Sequence, residues 1–194
     1  MSGQMSDVVV IDSEEYAIVE PGPDALFDVR AHGVKPVMMH TANTRGVFAR
    51  YRIEDGALML SDLQVGAVEA PPVINDVEPT TDEYGQTWTY LKLDLPIEWT
   101  GDLIIGAAPI LDLYVHAGFL PAWHYERVQA FDIENGLVQS SEDRSAQVAE
   151  FRAERTGASG AAGATAAAAA DEDEGIFERF LDSIKLRLGL PDDN

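Results

Sequence analysis

The chain contains no cysteine. Disulfides, thiolate metal sites, iron–sulfur ligation and thiol nucleophiles are thereby excluded together, and only histidine and carboxylates remain as metal ligands. Lysine is almost as scarce, with Lys35, Lys92 and Lys185 alone, and the 13 Lys and Arg face 34 Asp and Glu for a formal charge of −21. Phosphate contact needs clustered cations whose binding releases counterions, so this charge rules out a nucleic-acid partner and disfavours an anionic membrane surface. No apolar run approaches the ~20 residues that span a bilayer, and the stretch from Met1 to Asp7 lacks a basic region followed by an apolar one. No membrane span and a cytoplasmic location are expected.

What is present is a globular composition, 46% apolar over 194 residues, which suits one domain of roughly 100–150 residues with appendages. The Lys-poor acidity has two readings. Strong screening at high salt would relieve the self-repulsion of such a surface, as in halophilic adaptation. Alternatively, the charge is a recognition surface for a basic partner, as in an acidic immunity-type or nucleic-acid-mimic protein.

Residues 8–140 alternate apolar and polar stretches with turn signals, and a packed core belongs there. Two β-hairpins stand out. Phe48 to Glu54 leads through Asp55-Gly56 into Ala57 to Leu60, and Val128 to Glu134 leads through Asn135-Gly136 into Leu137 to Gln139. Asp-Gly and Asn-Gly accept the positive φ angles of a type I′ turn, whose twist matches that of paired strands. The shared text Ile-Glu-(Asp/Asn)-Gly is read as two solutions to one turn problem. Further short strands are expected at Val8 to Ile11, Ala17 to Val19, Thr87 to Leu93 and Leu103 to Ile105. Ile110, Leu111, Tyr114, Val115 and Phe119 lie close to helical spacing and predict a helix over 107–119. The Pro- and acid-rich stretch from Val65 to Thr87 reads as a solvated insert or a functional excursion.

The sequence changes character toward the C-terminus. Residues 141–155 are charged, with Val148 and Phe151 as apolar anchors, and predict an exposed or partly docked helix. Residues 156–174 are an Ala, Gly and acidic linker that cannot bury enough apolar surface to offset its ordering entropy, and are expected to be disordered. In 175–189, Ile176, Phe177, Phe180, Leu181, Ile184 and Leu188 share one helical face. Acids precede that segment, Lys185 and Arg187 sit near its end and Gly189 with Pro191 stops it, all in the sense the helix dipole favours. An amphipathic helix on a flexible tether is expected, either completing the core or docking a partner. The fold class is therefore α+β: a β-rich antiparallel sheet built from hairpins with one short packed helix, plus the tethered C-terminal helix.

Motifs for chemistry are few. There is no G-x-S-x-G, no G-x-x-x-x-G-K-[ST] and no G-x-G-x-x-G, and no cofactor is implied. Asp112 and His116 would share a face of the 107–119 helix, and His124 and Glu126 a face of a strand, but zinc usually needs three or four protein ligands and only pairs can be placed. No catalytic residue and no metal ligand is assigned. Polar-tipped aromatics gather in Tyr114, His116, Phe119, Trp123, His124 and Tyr125, beside Trp99 and Glu126, where a binding surface or the core under the second hairpin would place them. Arg45, just before the first hairpin, can hold a core carboxylate or an anionic ligand.

The text Thr41-Ala42-x-x-Arg45-Gly46, Trp99-x-Gly101-x-Leu103-x-Ile105 and Tyr114-Val115-His116-x-Gly118-Phe119, with Tyr125-Glu126, resembles a group of uncharacterised small bacterial proteins over residues 38–138. The resemblance implies a shared compact domain and no activity. The leading expectation is a non-enzymatic interaction or regulatory protein that docks a protein partner, or a second copy of itself, through the C-terminal helix. The alternative is a metal-dependent or acid/base hydrolase using His116, His124 and nearby carboxylates.

Overall fold

The computed structural model describes residues 3–114 and 118–158. Contacts divide the chain into two compact units, Met1–Arg152 and Ala153–Asn194, and the first carries the fold. Its strands are β1 (Val8–Ile11), β2 (Glu14–Glu20), β3 (Val47–Glu54), β4 (Ala57–Gly66), β5 (Thr80–Thr81), β6 (Thr87–Tyr90), β7 (Leu95–Pro96), β8 (Gly101–Pro109), β9 (Tyr125–Glu134) and β10 (Leu137–Asp143), followed by helix α1 (Ser145–Ala158). The result is a β-rich mixed sheet of ten strands in the order β10-β9-β8-β2-β1-β3-β4-β6-β5, with β7 also on β4. All pairings are antiparallel except β1 with β3.

Both expected hairpins form, and both turns place two residues at positive φ: Asp55 at 52° and Gly56 at 77°, Asn135 at 49° and Gly136 at 78°. The two turns also meet. Leu137 pairs with Ala57, the Leu58 amide donates to the Gly136 carbonyl at 2.8 Å, and the Val138 amide donates to the Gly56 carbonyl at 2.8 Å. This joins β10 to β4 and closes seven strands into a ring. Closure satisfies the two sheet edges that would otherwise stand open at this end.

The ring interior follows the period-2 pattern. Val47, Ala49 and Tyr51 of β3 point inward, as do Leu58 and Leu60 of β4. Arg50 faces Asp62 while Tyr51 faces Leu60, so Ser61 is an extra residue. This bulge shifts the phase by one, and the next inward residues are Leu63 and Val65. Residues 103–107 of β8 are all buried, as fits a central strand covered on both faces.

Three expectations are corrected. There is no helix over 107–119 among the described residues: Ala107 to Pro109 complete β8, and Leu111–Leu113 form one 3₁₀ turn. A short apolar run has the same appearance in a buried strand and in a helix, and burial between β2 and β9 decides for the strand. The packed helix is instead α1, which starts at Ser145 rather than 141 because Glu142 and Asp143 still pair with β9. The Asp143 carboxylate then accepts from the Ser145 amide at 2.9 Å, an N-terminal cap, and Val148 is buried as an anchor. The 65–87 stretch is not a free insert. Val65 and Gly66 belong to β4, Ile74 is buried, and Asn75 Nδ2 donates to the Leu93 carbonyl at 2.7 Å.

The strand directions sort the connections into two ends. The turns at 12–13 and 55–56, the finish of β8 and the start of β9 lie at one end, from which residues 110–124 depart. The starts of β1, β3 and β8, the finishes of β2 and β4 and the 135–136 turn lie at the other, the loop end, which carries residues 3–7 and 20–46. No helix among the described residues is long and apolar enough to cross a membrane.

Candidate functional site

The loop end is assembled around the turn His40-Thr-Ala-Asn-Thr-Arg-Gly46. Asn43 is buried and ties the turn from within. Its Nδ2 donates to the Val47 carbonyl at 3.0 Å, and its Oδ1 accepts from the Gly46 amide at 2.9 Å. Gly46 has φ +72°, and a Cβ there would lie 2.1 Å from the Val37 carbonyl oxygen, so both the left-handed backbone and the close approach require glycine.

Arg45 is almost enclosed. Its guanidinium pairs with Asp7 at 2.6 Å and Asp24 at 2.8 Å and donates to the Val47 carbonyl at 3.0 Å. Asp7 also accepts from the Ala49 amide at 2.8 Å. Burial pushes the Asp7 carboxyl above the ordinary value, against the opposing pull of Arg45. The neighbouring Tyr51 hydroxyl is raised by its own burial and then by the Asp7 charge. Arg45 therefore ties the N-terminal segment and the 20–28 loop to β3. Its donors are taken by the chain's own acceptors.

Gln4 adds a second tie. Its amide donates to the Gly118 carbonyl at 2.6 Å, its Nε2 donates to the Thr41 carbonyl at 3.1 Å, and its Oε1 accepts from the Thr44 hydroxyl at 2.8 Å. The Met5 amide then donates to the Ala42 carbonyl at 2.8 Å. The N-terminal segment thus links the 41–44 turn to the aromatic stretch after β8.

The aromatic candidates separate by burial. Trp99 packs partly buried against the core, and its carbonyl accepts from the Gly136 amide at 2.8 Å, which places it beside the second hairpin turn. His124 is 2% exposed, and the Trp123 ring meets it edge-on with centroids 3.9 Å apart. The buried Tyr125 ring lies over Gly106, where a Cβ would be 2.5 Å away, and burial pushes its hydroxyl up to about 12. Arg152 of α1 donates to the Trp123 carbonyl at 2.8 Å and to the Tyr125 carbonyl at 2.7 Å. These four aromatic residues are structural in placement. Glu126 is exposed while His124 is not, so the two do not share a face. Tyr114 at 46% exposure and Phe119 at 39% are on the surface.

His116 and the stripe of Ile176, Phe177, Phe180, Leu181, Ile184 and Leu188 lie outside the described residues, as do the 159–174 part of the linker and the 175–189 helix. Among the described residues no group of three His, Asp or Glu is placed to hold a metal ion.

What sequence reasoning missed is the tie between distant segments, in which Gln4 holds the 41–44 turn and Gly118 together. No periodic signal could have shown it, because these three segments are neighbours only in the fold. Large exposed apolar side chains are spread over the described residues, among them Met38, Val68, Tyr84, Leu91 and Leu111. Compared with protein-family models, with curated proteins and with solved structures, the chain finds no match.

Proposed function

We propose that this is a non-enzymatic interaction or regulatory protein, in which a closed β domain carries the C-terminal apolar stripe at 176–188 as the element that docks a protein partner. The observation that carries this reading is the sequence spacing of Ile176, Phe177, Phe180, Leu181, Ile184 and Leu188, which fits the apolar face of one amphipathic helix. A cytoplasmic location and a salt-adapted acidity are parts of the same reading. The rival hydrolase finds less support in the geometry. His124 is sealed beneath Trp123 and away from the exposed Glu126, so a substrate would have to displace the core to reach it.

The test is reconstitution. A partner captured from cells is purified and recombined with the intact chain, with a chain ending at 158, and with a Phe180→Ser/Ile184→Ser double variant. The expected result is a complex of defined stoichiometry with the intact chain, weakened at least about tenfold by each change. A complex that survives both changes would overturn the reading.

A further inference from the structure

We infer that the surface hollow after the 3₁₀ turn Val29–His32, lined by Arg30, Gly33, Val34, Lys35 and Pro36, takes a carboxylate of an acidic polypeptide segment. An apolar residue of that segment covers Val37 and Met38, which follow directly on the hollow's wall. The inference goes beyond the reading of the C-terminal stripe and uses none of its residues. It starts from a local exception in an acidic chain. Residues 29–53 contain five Lys and Arg and no acid, the longest acid-free run in the sequence.

Most of those cations are occupied. Arg45, Arg50 and Arg52 hold carboxylates of this same chain. Arg30 meets Asp24 and Asp28 through Nη1 alone, and Lys35 is exposed and forms no ion pair among the described residues. The hollow has a volume of about 390 Å³, and no acid lines it. Its walls are held by the fold. The Gly33 amide donates to the Arg30 carbonyl at 3.0 Å, Val34 is buried, and the Val37 amide donates to the Gly66 carbonyl at the finish of β4 at 2.8 Å. Val37 at 40% and Met38 at 60% exposure are thus displayed on backbone that is already fixed, which lowers the ordering cost of covering them.

Charge selects the occupant. A carboxylate meets the free Lys35 ammonium and the open side of the Arg30 fork, whereas a basic segment finds no partner in the hollow. A whole second copy brings a charge of −21, but a short segment brings only the few acids that the hollow meets. At physiological salt the screening length is about 8 Å, so the local cations outweigh distant acids.

The test uses the intact chain, labelled with ¹⁵N, at physiological salt, with synthetic peptides of matched length: a Glu/Leu peptide, a Glu/Ser peptide of the same charge, and a Lys/Leu peptide. Inorganic phosphate is the small-anion arm. The expected result is binding of the Glu/Leu peptide, with shifts centred on residues 30–35 and 37–40. Lys35→Glu weakens it at least about tenfold, Met38→Ser weakens it as well, and Lys92→Glu, the same charge change at another exposed lysine, leaves it unchanged. Equal effects of the Glu/Ser peptide or of phosphate on these signals would show a simple anion site and overturn the apolar-anchored segment. Equal binding of the Lys/Leu peptide would overturn selection by charge. Signals at 30–40 that move with protein concentration and without peptide would make a second copy the occupant and overturn the separate partner. Unmoved signals at 30–40 with every peptide overturn the inference outright.

Discussion

Ala57 and Leu137 hold the same position in two hairpins, β3–β4 and β9–β10, and sit opposite each other across the seam that closes the ring. The hydrogen bonds on either side are reciprocal, Leu58 to Gly136 and Val138 to Gly56. The matching Ile-Glu-x-Gly texts therefore do two things: each turns its own hairpin, and together they form the joint.

The two turn glycines are alike in φ and unlike in surroundings. A Cβ on Gly56 meets nothing within 4 Å, whereas one on Gly136 lies 2.2 Å from the Ile97 carbonyl oxygen. Gly56→Ala is expected to cost about 1–2 kcal/mol for left-handed backbone alone. Gly136→Ala adds displacement of the 97–99 backbone and is expected to cost at least about 2 kcal/mol more. Urea unfolding of both variants checks the order.

Arg45→Ala leaves Asp7 and Asp24 facing each other with little solvent. The loss is expected to reach about 3–5 kcal/mol, as for removal of one partner of a buried pair. Arg45→Lys, which cannot span both carboxylates in a planar fork, is expected to recover only part of it. Thermal unfolding of the two variants measures the difference.

The exposed pair on the outer face has a pH signature. Arg127 grips Glu14 through both carboxylate oxygens and Tyr16 donates to the same group, and these contacts hold the carboxyl at about 2 against an ordinary 4.5. A depressed folded value means that the contribution is present above the ordinary value and is lost as pH falls toward about 2. In Glu14→Gln the fall in urea midpoint across that window is expected to be shallower, because the variant already lacks the contribution at neutral pH and the two proteins converge toward about pH 2. An unaltered acid slope would show that the pair is not formed in solution.

Gln4→Ala removes the side-chain bonds to Thr41 and Thr44. A stability loss of about 1–2 kcal/mol is expected. Faster amide exchange should appear at residues 41–44 and 118–120 and be absent from β3 and β4, which hydrogen-exchange mass spectrometry resolves by segment.

How much of this was legible follows from the range of each signal. Asp55-Gly56 and Asn135-Gly136 are local signatures, and both turns formed where they were read. The 107–119 helix was misread because Ile104 to Ala108 sit between β2 and β9, a fact no window of neighbouring residues contains. Arg45 was visible as an arginine before a hairpin, yet its carboxylates, Asp7 and Asp24, are 38 and 21 residues away. Trp123, His124 and Tyr125 read alike with Tyr114 and Phe119 as aromatic text, and only packing against Gly106 and α1 separated the core members from the surface ones.

By itself the amino-acid order determined the turns, the inward alternation along β3, the apolar anchor Val148 of α1, and the chemistry closed to a cysteine-free chain of charge −21. These depend on φ preferences, side-chain period and net charge, all properties of neighbours or of composition. Only the tertiary structure decided that the two hairpins join turn to turn, that β1 runs parallel to β3, and that Gln4, Thr41 and Gly118 come together. Those outcomes depend on which distant segments exclude water together, a competition settled by the whole core.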